Sequence, residues 1–322
     1  MTPRRALLAA PMAGAFMRPG AAQTPWPGDR PVEVIGPFPA GGGVDVMTRI
    51  IMPLVAARIP GLRPVITNRT GAAGQIGMEA TFNAAPDGYT LGATTLPAVN
   101  AIPLERQARF RALDFTFLAN IVEDANAFCV RAESPIHSVA DLIAAGRARP
   151  GGMTYGTTGV GSDDHLFMLN FERIAAVPRF VHVPFAGAAP LIPQLLGGHI
   201  DMAAGNVCDA LQLVREGKLR LLAQAAETRQ PEAPDTPTFR ELGLDIVMGA
   251  SRGIVGPPGL PAAITAALVD ALAGAMADPA FQAEAVRQAM PLRPILGRAY
   301  RDYAAMVDSR TRELWQVSPW RE

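Results

Sequence analysis

Short β-rich runs that are apolar at both alternating positions recur along this chain, and helical patterns lie between them. They read "VEVIGPF", "RPVIT", "TLGATT", "FTFLANIV", "AFCVRA", "MTYGTT", "FVHVPF", "IDMAAG" and "LRLLAQAA". A strand that is apolar on both sides expects cover on both faces, and alternation with helices is what βαβ units require. The expected architecture is α/β, with mainly parallel strands flanked by helices. A chain of 322 residues, 49% hydrophobic, exceeds what one small core needs, so two lobes are expected.

Helical patterns include "VDVMTRIIMPLVAARI" and "SVADLIAAGRAR". A third, "PAAITAALVDALAGAMADP", opens with Pro261 and repeats Ile264, Leu268, Leu272 and Met276, an apolar stripe suited to core packing. Two segments have the composition of crossings between lobes. One is Glu123-Asp124-Ala125-Asn126, where two strand-like runs meet; the other is the Pro-rich, charged "AETRQPEAPDTPTF". They assign residues 23–125 plus 227–322 to a discontinuous first lobe and 126–226 to the second.

Charge excludes some functions. Lys plus Arg equal Asp plus Glu at 29 each, so no global field recruits nucleic acid or an anionic membrane. Aromatics at 6% further weaken a base-stacking role. Residues 1–22 read as an export signal: Arg4 and Arg5, the apolar "ALLAAPMAGAFM", then small residues suited to cleavage after Ala22. The arginine pair fits Sec or twin-arginine export to the periplasm. Removal of this segment, with its three arginines and no acid, leaves about −3. Cys129 and Cys208 could pair in an oxidising compartment, but Cys129 sits in a buried-strand pattern where a free thiol is an ordinary core residue.

The stretch "VEVIGPFPAGGGVDVMTRI" joins a strand to a helix through glycines, as nucleotide loops do. For a phosphate loop, however, Gly42 and Gly43 stand where Lys and a hydroxyl are needed. For a dinucleotide fingerprint, Val46 replaces the third glycine. What remains is backbone N–H groups at a helix start, which suit a carboxylate as well as a phosphate. "YGTTGVGSDDHL" repeats the pattern, with Thr157, Thr158 and Ser162 as hydroxyl donors, and further strand-end turns lie at Ala186-Gly187 and Gly205-Asn206. Together they suggest a polar cleft lined largely by backbone donors.

In order along the chain, "RPVEVIGPFPAGGGVDVMTR", "VITNRTGAAGQIG", "AAPDGYTL", "MTYGTTGVGSDDHL", "VHVPFAGAAPLIPQLLGGHIDM", "GKLRLLA", "DTPTFRELGL" and "GIVGPPGLP" make a set. It resembles the Bug-type extracytoplasmic solute-binding receptors of tripartite tricarboxylate transporters. The resemblance implies a two-lobed, type II-like periplasmic binding-protein fold that closes on a small carboxylate, acts without a cofactor or metal, and passes its ligand to membrane transporter subunits. It further implies a monomer. Carried onto this chain, first-lobe contacts fall at Phe38, Ala40, Gly41 and Thr94 or Thr95. Second-lobe contacts fall at Thr158, Ser162, Ala186, Gly187 and Asn206, and Asp45 matches an acid that caps the first helix.

Two departures from the family pattern stand out. Asp163 and Asp164 follow Ser162 where neutral residues are common. They are either helix-start acids favoured by the dipole, or cleft-facing acids that take an ammonium group or a bridging arginine, in which case Asp164 joins the ligand set. Arg252 replaces a large aromatic, either to pair with those acids, to clamp a ligand carboxylate, or as a surface residue. Other functions fit less well. Ser162 and His165 invite a hydrolase reading, but "GVGSDDH" lacks the nucleophile-elbow spacing. The four histidines have no metal-ligand spacing. A ligand sensor on the same fold has the same sequence requirements as an uptake receptor.

Overall fold

The computed structural model describes residues 26–320, so the expected export signal over residues 1–22 lies outside the described residues. The first half runs β1 (Val32–Gly36), α1 (Gly43–Ala56), β2 (Pro64–Asn68), α2 (Gln75–Phe82), β3 (Thr90–Leu96), α3 (Ala98–Glu105) and β4 (Thr116–Arg131). There follow α4 (Val139–Ala148), β5 (Thr154–Thr157), α5 (Asp163–Ile174), β6 (Val181–Pro184), α6 (Ala188–Leu196), β7 (Met202–Asn206), α7 (Val207–Arg215) and β8 (Leu219–Gln224). The chain ends with β9 (Gly249–Gly256), α8 (Ala262–Met276), α9 (Pro279–Arg287), β10 (Leu292–Leu296) and α10 (Gly297–Val317).

The nine strand-like runs of the sequence become eight strands, because "FTFLANIV" and "AFCVRA" are one. The segment Glu123–Asn126, expected to cross between lobes, lies in the middle of β4, a 16-residue strand, where pairing passes from β9 to β7. Its first part pairs with β9 and β10, and its second with β7 and β8, so one strand is shared by two sheets. The polar residues suggested a break. Instead Asp124 pairs with buried Arg252, Asn126 donates to buried Asp163 and Asp164, Glu123 pairs with Arg293 near the surface, and the backbone ladder runs through. Strands β9 and β10 escape the hydrophobic pattern: β9 is "GASRGIVG", with three glycines and an arginine, and β10 contains Pro294.

The sheet is mixed, in the order β2-β1-β3-β9-β4-β7-β5-β6. Parallel pairs lie at the two ends, β1 with β2 and β3, and β5 with β6 and β7. The centre, where β4 meets its neighbours, is antiparallel. The parallel ends carry the helix starts, and those starts converge on the cleft between lobes.

Each lobe has its own core. In the first, β1 (Val32, Val34), α1 (Met47, Ile51) and α8 (Leu268, Leu272) bury side chains together with Leu118 and Ile121 of β4. The stripe expected on α8 is that core face; Leu268, Leu272 and Met276 are buried and Ile264 packs at its edge. In the second, Phe128, Phe167, Phe171 and Phe239 pack with ring centroids 4.6 to 5.3 Å apart along the contacts of Phe128. Each buried ring contributes about 2–3 kcal/mol from removal of apolar area. Phe239, the last residue of the Pro-rich segment, and Ile246 beyond it belong to this second cluster. No single helix among the described residues is long and apolar enough to cross a membrane.

Candidate functional site

Both helix starts that the glycine patterns announce face the seam between lobes. Helix α1 begins after Gly42, with no side-chain cap. Helix α5 begins after Ser162, whose Oγ accepts the His165 amide at 3.3 Å. Ser162 is thus engaged as an N-cap, and His165 Nδ1 accepts the Gly161 amide at 3.2 Å while its ring stacks on His182. Burial, with His182 and Arg179 nearby, pushes His165 down from 6.5 to about 3.

The lobes touch through glycines. A Cβ at Gly187 would lie 2.9 Å from Pro39 Cδ, and one at Gly159 would lie 2.9 Å from Ala73 Cβ. A Cβ at Gly43 would run into the Arg252 guanidinium. Gly187 and Gly159 therefore let the two halves approach this closely, and Gly43 makes room for Arg252 within the first lobe.

Between them is a narrow cavity of about 30 Å³, room for one or two waters. From the first lobe come Phe38, the α1 start at Gly42–Val44, Thr95, and Ala250 and Arg252 of β9. From the second come Thr158, Asp163, Gly187, Ala188, Asn206 and Asp209. A larger outer cavity of about 260 Å³ shares Gly42, Gly43, Ala188 and Asp209 with it and adds Gly41.

Of the residues expected at the ligand, the cavity brings together Phe38, Thr95, Thr158, Gly187 and Asn206, along with Asp163 and Arg252. Gly41 lines the outer cavity, and Ala40 and Ala186 are exposed nearby in sequence to lining residues. Thr94, Ser162 and Asp164 are buried and do not line it. Asp164 Oδ2 takes the Thr158 amide at 3.0 Å and the Thr158 hydroxyl at 2.6 Å, while its Oδ1 takes Asn126 at 3.1 Å. Asp45 accepts the Gly41 amide at 3.0 Å and is held by Arg49 and Asn68. Burial opposes its charge, but those three partners together keep Asp45 below its usual range.

Arg252 is buried at the centre of the seam rather than on the surface. Its guanidinium lies 3.1 Å from Asp124 and 3.5 Å from Asp209, and it donates to Asn206 Oδ1 and Cys208 Sγ at 3.0 Å each. Its partners are Asp124 and Asp209, not the Asp163 or Asp164 offered by the sequence. Asp163 Oδ2 instead accepts from Asn126 at 2.8 Å and Asn206 at 2.9 Å. Cys129 and Cys208 are both free thiols. Burial pushes Asp124 up to about 7 against the pull of Arg252. Burial also raises Asp209, with Asp163 adding to it, although Arg252 and the Gly43 amide favour its charge.

Asp124, Asn126 and Asp209 were not anticipated as site residues. Asp124 carries a signal in retrospect: an acid inside an otherwise apolar run must have a buried partner. Asp209 carries none, because an acid in the first turn of α7 is ordinary helix chemistry.

A family profile described as "Tripartite tricarboxylate transporter family receptor" matches residues 52–298. Protein BugT of Bordetella pertussis is 32% identical over 235 residues, 71% of each chain. Among solved structures, a Rhodopseudomonas palustris protein with adipate is 26% identical with a TM-score of 0.85, covering 91% of this chain and 98% of its own. MatC of the same organism, with bound malate, is 27% identical with a TM-score of 0.81, covering 88% of this chain and 98% of its own. With a family match across most of its length and the fold of these solved receptors, this chain belongs to the tripartite tricarboxylate transporter receptor family of solute-binding proteins.

Proposed function

We propose that this receptor captures a small organic acid between its lobes in the periplasm and delivers it to the membrane subunits of a tripartite tricarboxylate-type transporter. The observation that carries the reading is that residues of both lobes line one cavity, so closure and binding are a single event. Thr95 Oγ1, on the first-lobe side, has no hydrogen-bond partner among the described residues, and Thr158 faces it from the second lobe. The malate and adipate of the neighbouring structures support the ligand class. Phe38, Thr95, Thr158, Gly187 and Asn206 make the contacts in this reading, and Asp45 and Asp164 hold their helix starts in shape.

The receptor works by binding alone, as a monomer, after export directed by residues 1–22. Phe239 and Ile246 cluster with Phe128, which supports a second lobe that extends past residue 227 to Met248. Thermal unfolding across a panel of carboxylic acids tests this. A true ligand at a hundredfold excess over its Kd should raise the Tm by about 5 °C. If no acid in the panel moves the Tm, the receptor reading of this cleft fails.

A further inference from the structure

The charges of the cleft do not balance. Asp163 and Asp209 both line the inner cavity, and Arg252 is the only base lining it among the described residues. That guanidinium is already shared between Asp209 and the fully buried Asp124. Among the described residues, Asp163 has two side-chain amides on its Oδ2, from Asn126 and Asn206, and amides offer dipoles but no neutralising charge.

The glycine loop, expected to grip an anion, is also partly committed to acids of the protein. The Gly41 amide goes to Asp45, and the Gly43 amide to Asp209. A ligand that carries only negative charge would meet two carboxylates at short range in a desolvated space, where like charges repel strongly. A second observation points to a ligand here. Thr95 is 4% exposed, lines the same cavity, and its Oγ1 lacks a partner among the described residues.

We infer that the ligand carries a cationic nitrogen beside its carboxylate, and that Asp163 and Asp209 receive this ammonium group while Thr95 and Arg252 face the acid end. The inference rests on the receptor reading above and narrows its ligand from organic acids to amino-substituted ones. A metal ion is the other cation that acids select. No group of three or more His, Cys, Asp or Glu among the described residues is arranged to hold one, so an organic ammonium fits better. Asp163 and Asp209 thus act as specificity residues, rejecting plain diacids as much as attracting amines.

Calorimetric titration of the purified protein with matched pairs tests this: malate against L-aspartate, and adipate against L-2-aminoadipate. The amine-bearing member of at least one pair should bind about tenfold tighter or more than its plain twin, a difference of about 1.4 kcal/mol. Asp163→Asn, with its fold checked by circular dichroism, should shrink that gap to about threefold or less. It should do so by weakening the amine-bearing ligand more than its plain twin. Asp209→Asn supplies an independent check. Plain acids that bind as well as or better than their amino twins would overturn the inference and leave the receptor reading standing. So would variants that weaken both members of a pair equally. Absence of binding by all four compounds would count against both.

Discussion

The two glycine-turn helix starts share a sequence plan and differ in electrostatics. Each joins a strand to a helix through glycines and places an acid in the first turn, Asp45 in α1 and Asp164 in α5. Asp45 has a cation, Arg49, at 2.9 Å and is held below its usual range. Asp164 has hydroxyl and amide donors, with two further acids nearby, and burial together with Asp163 and Asp209 holds it well above that range. The first lobe therefore settles its charge locally. The second carries its acids to the seam and depends on Arg252, reaching in from β9, for the positive charge. Local motifs describe backbone geometry. Which acid is charged is decided by residues far away in sequence.

The largest effect should come from removing that shared cation. Arg252→Met keeps the bulk but leaves Asp124 and Asp209 buried without a counter-charge, and breaking a buried pair from one side costs about 3–5 kcal/mol. Urea unfolding at pH 7 measures it. A loss below about 1 kcal/mol would show that the second lobe's acids are balanced without help from the first. Asp45→Asn attacks the other side of the comparison. It weakens a buried acceptor of Arg49, Asn68 and the Gly41 amide, and should cost about 2 kcal/mol in the same assay.

Closure itself offers a smaller handle. Gly159 has φ of +128°, and a Cβ there would sit 2.9 Å from Ala73 Cβ across the seam. In Gly159→Ala the lobes must stand slightly apart, which should cost about 1 kcal/mol of the closed state and weaken ligand binding about fivefold. Titration with whichever acid binds the wild type best reads this directly. Unchanged affinity would mean that this side of the seam opens without consequence.

Much of this was legible in the sequence. Eight strands and the helix starts follow from apolar runs and glycine turns, because local pattern and final fold agree there. Phe38, Thr95, Thr158, Gly187 and Asn206, picked out by the ordered motifs, line one cavity. The rest required tertiary contacts. Strand β9 has too few apolar residues to register as a strand, yet its place between β3 and β4 brings Arg252 into the cleft. Glu123 to Asn126 looked like a linker because polar residues interrupt an apolar run. That Asp124 meets Arg252, and Asn126 meets Asp163 and Asp164, depends on pairings across 37 to 128 residues of chain.

The smallest expected effect discriminates best between the two helix starts. Asp164→Asn puts a neutral group of the same shape where burial and the neighbouring acids already push the carboxyl toward its neutral form, so stability at pH 7 should stay within about 1 kcal/mol of wild type. Its pH dependence should oppose that of Asp45→Asn. Asp45 is lowered in the fold, so its contribution is present above its unfolded value of 3.8 and is lost as pH falls through the folded value. The deficit of Asp45→Asn should shrink on acidification below that point. Asp164 is raised, so its contribution is present below 3.8 and is lost as pH rises through the folded value. Asp164→Asn should therefore compare least favourably with wild type near pH 4 and improve toward pH 7, with Asp163 and Asp209 as the charges it faces and Thr158 and Asn126 as its donors. Urea midpoints at pH 3, 4 and 7 separate the cases. Parallel trends for the two variants would mean that Asp164 is ionised in the fold, and that the second lobe carries one more negative charge toward the seam than its partners balance.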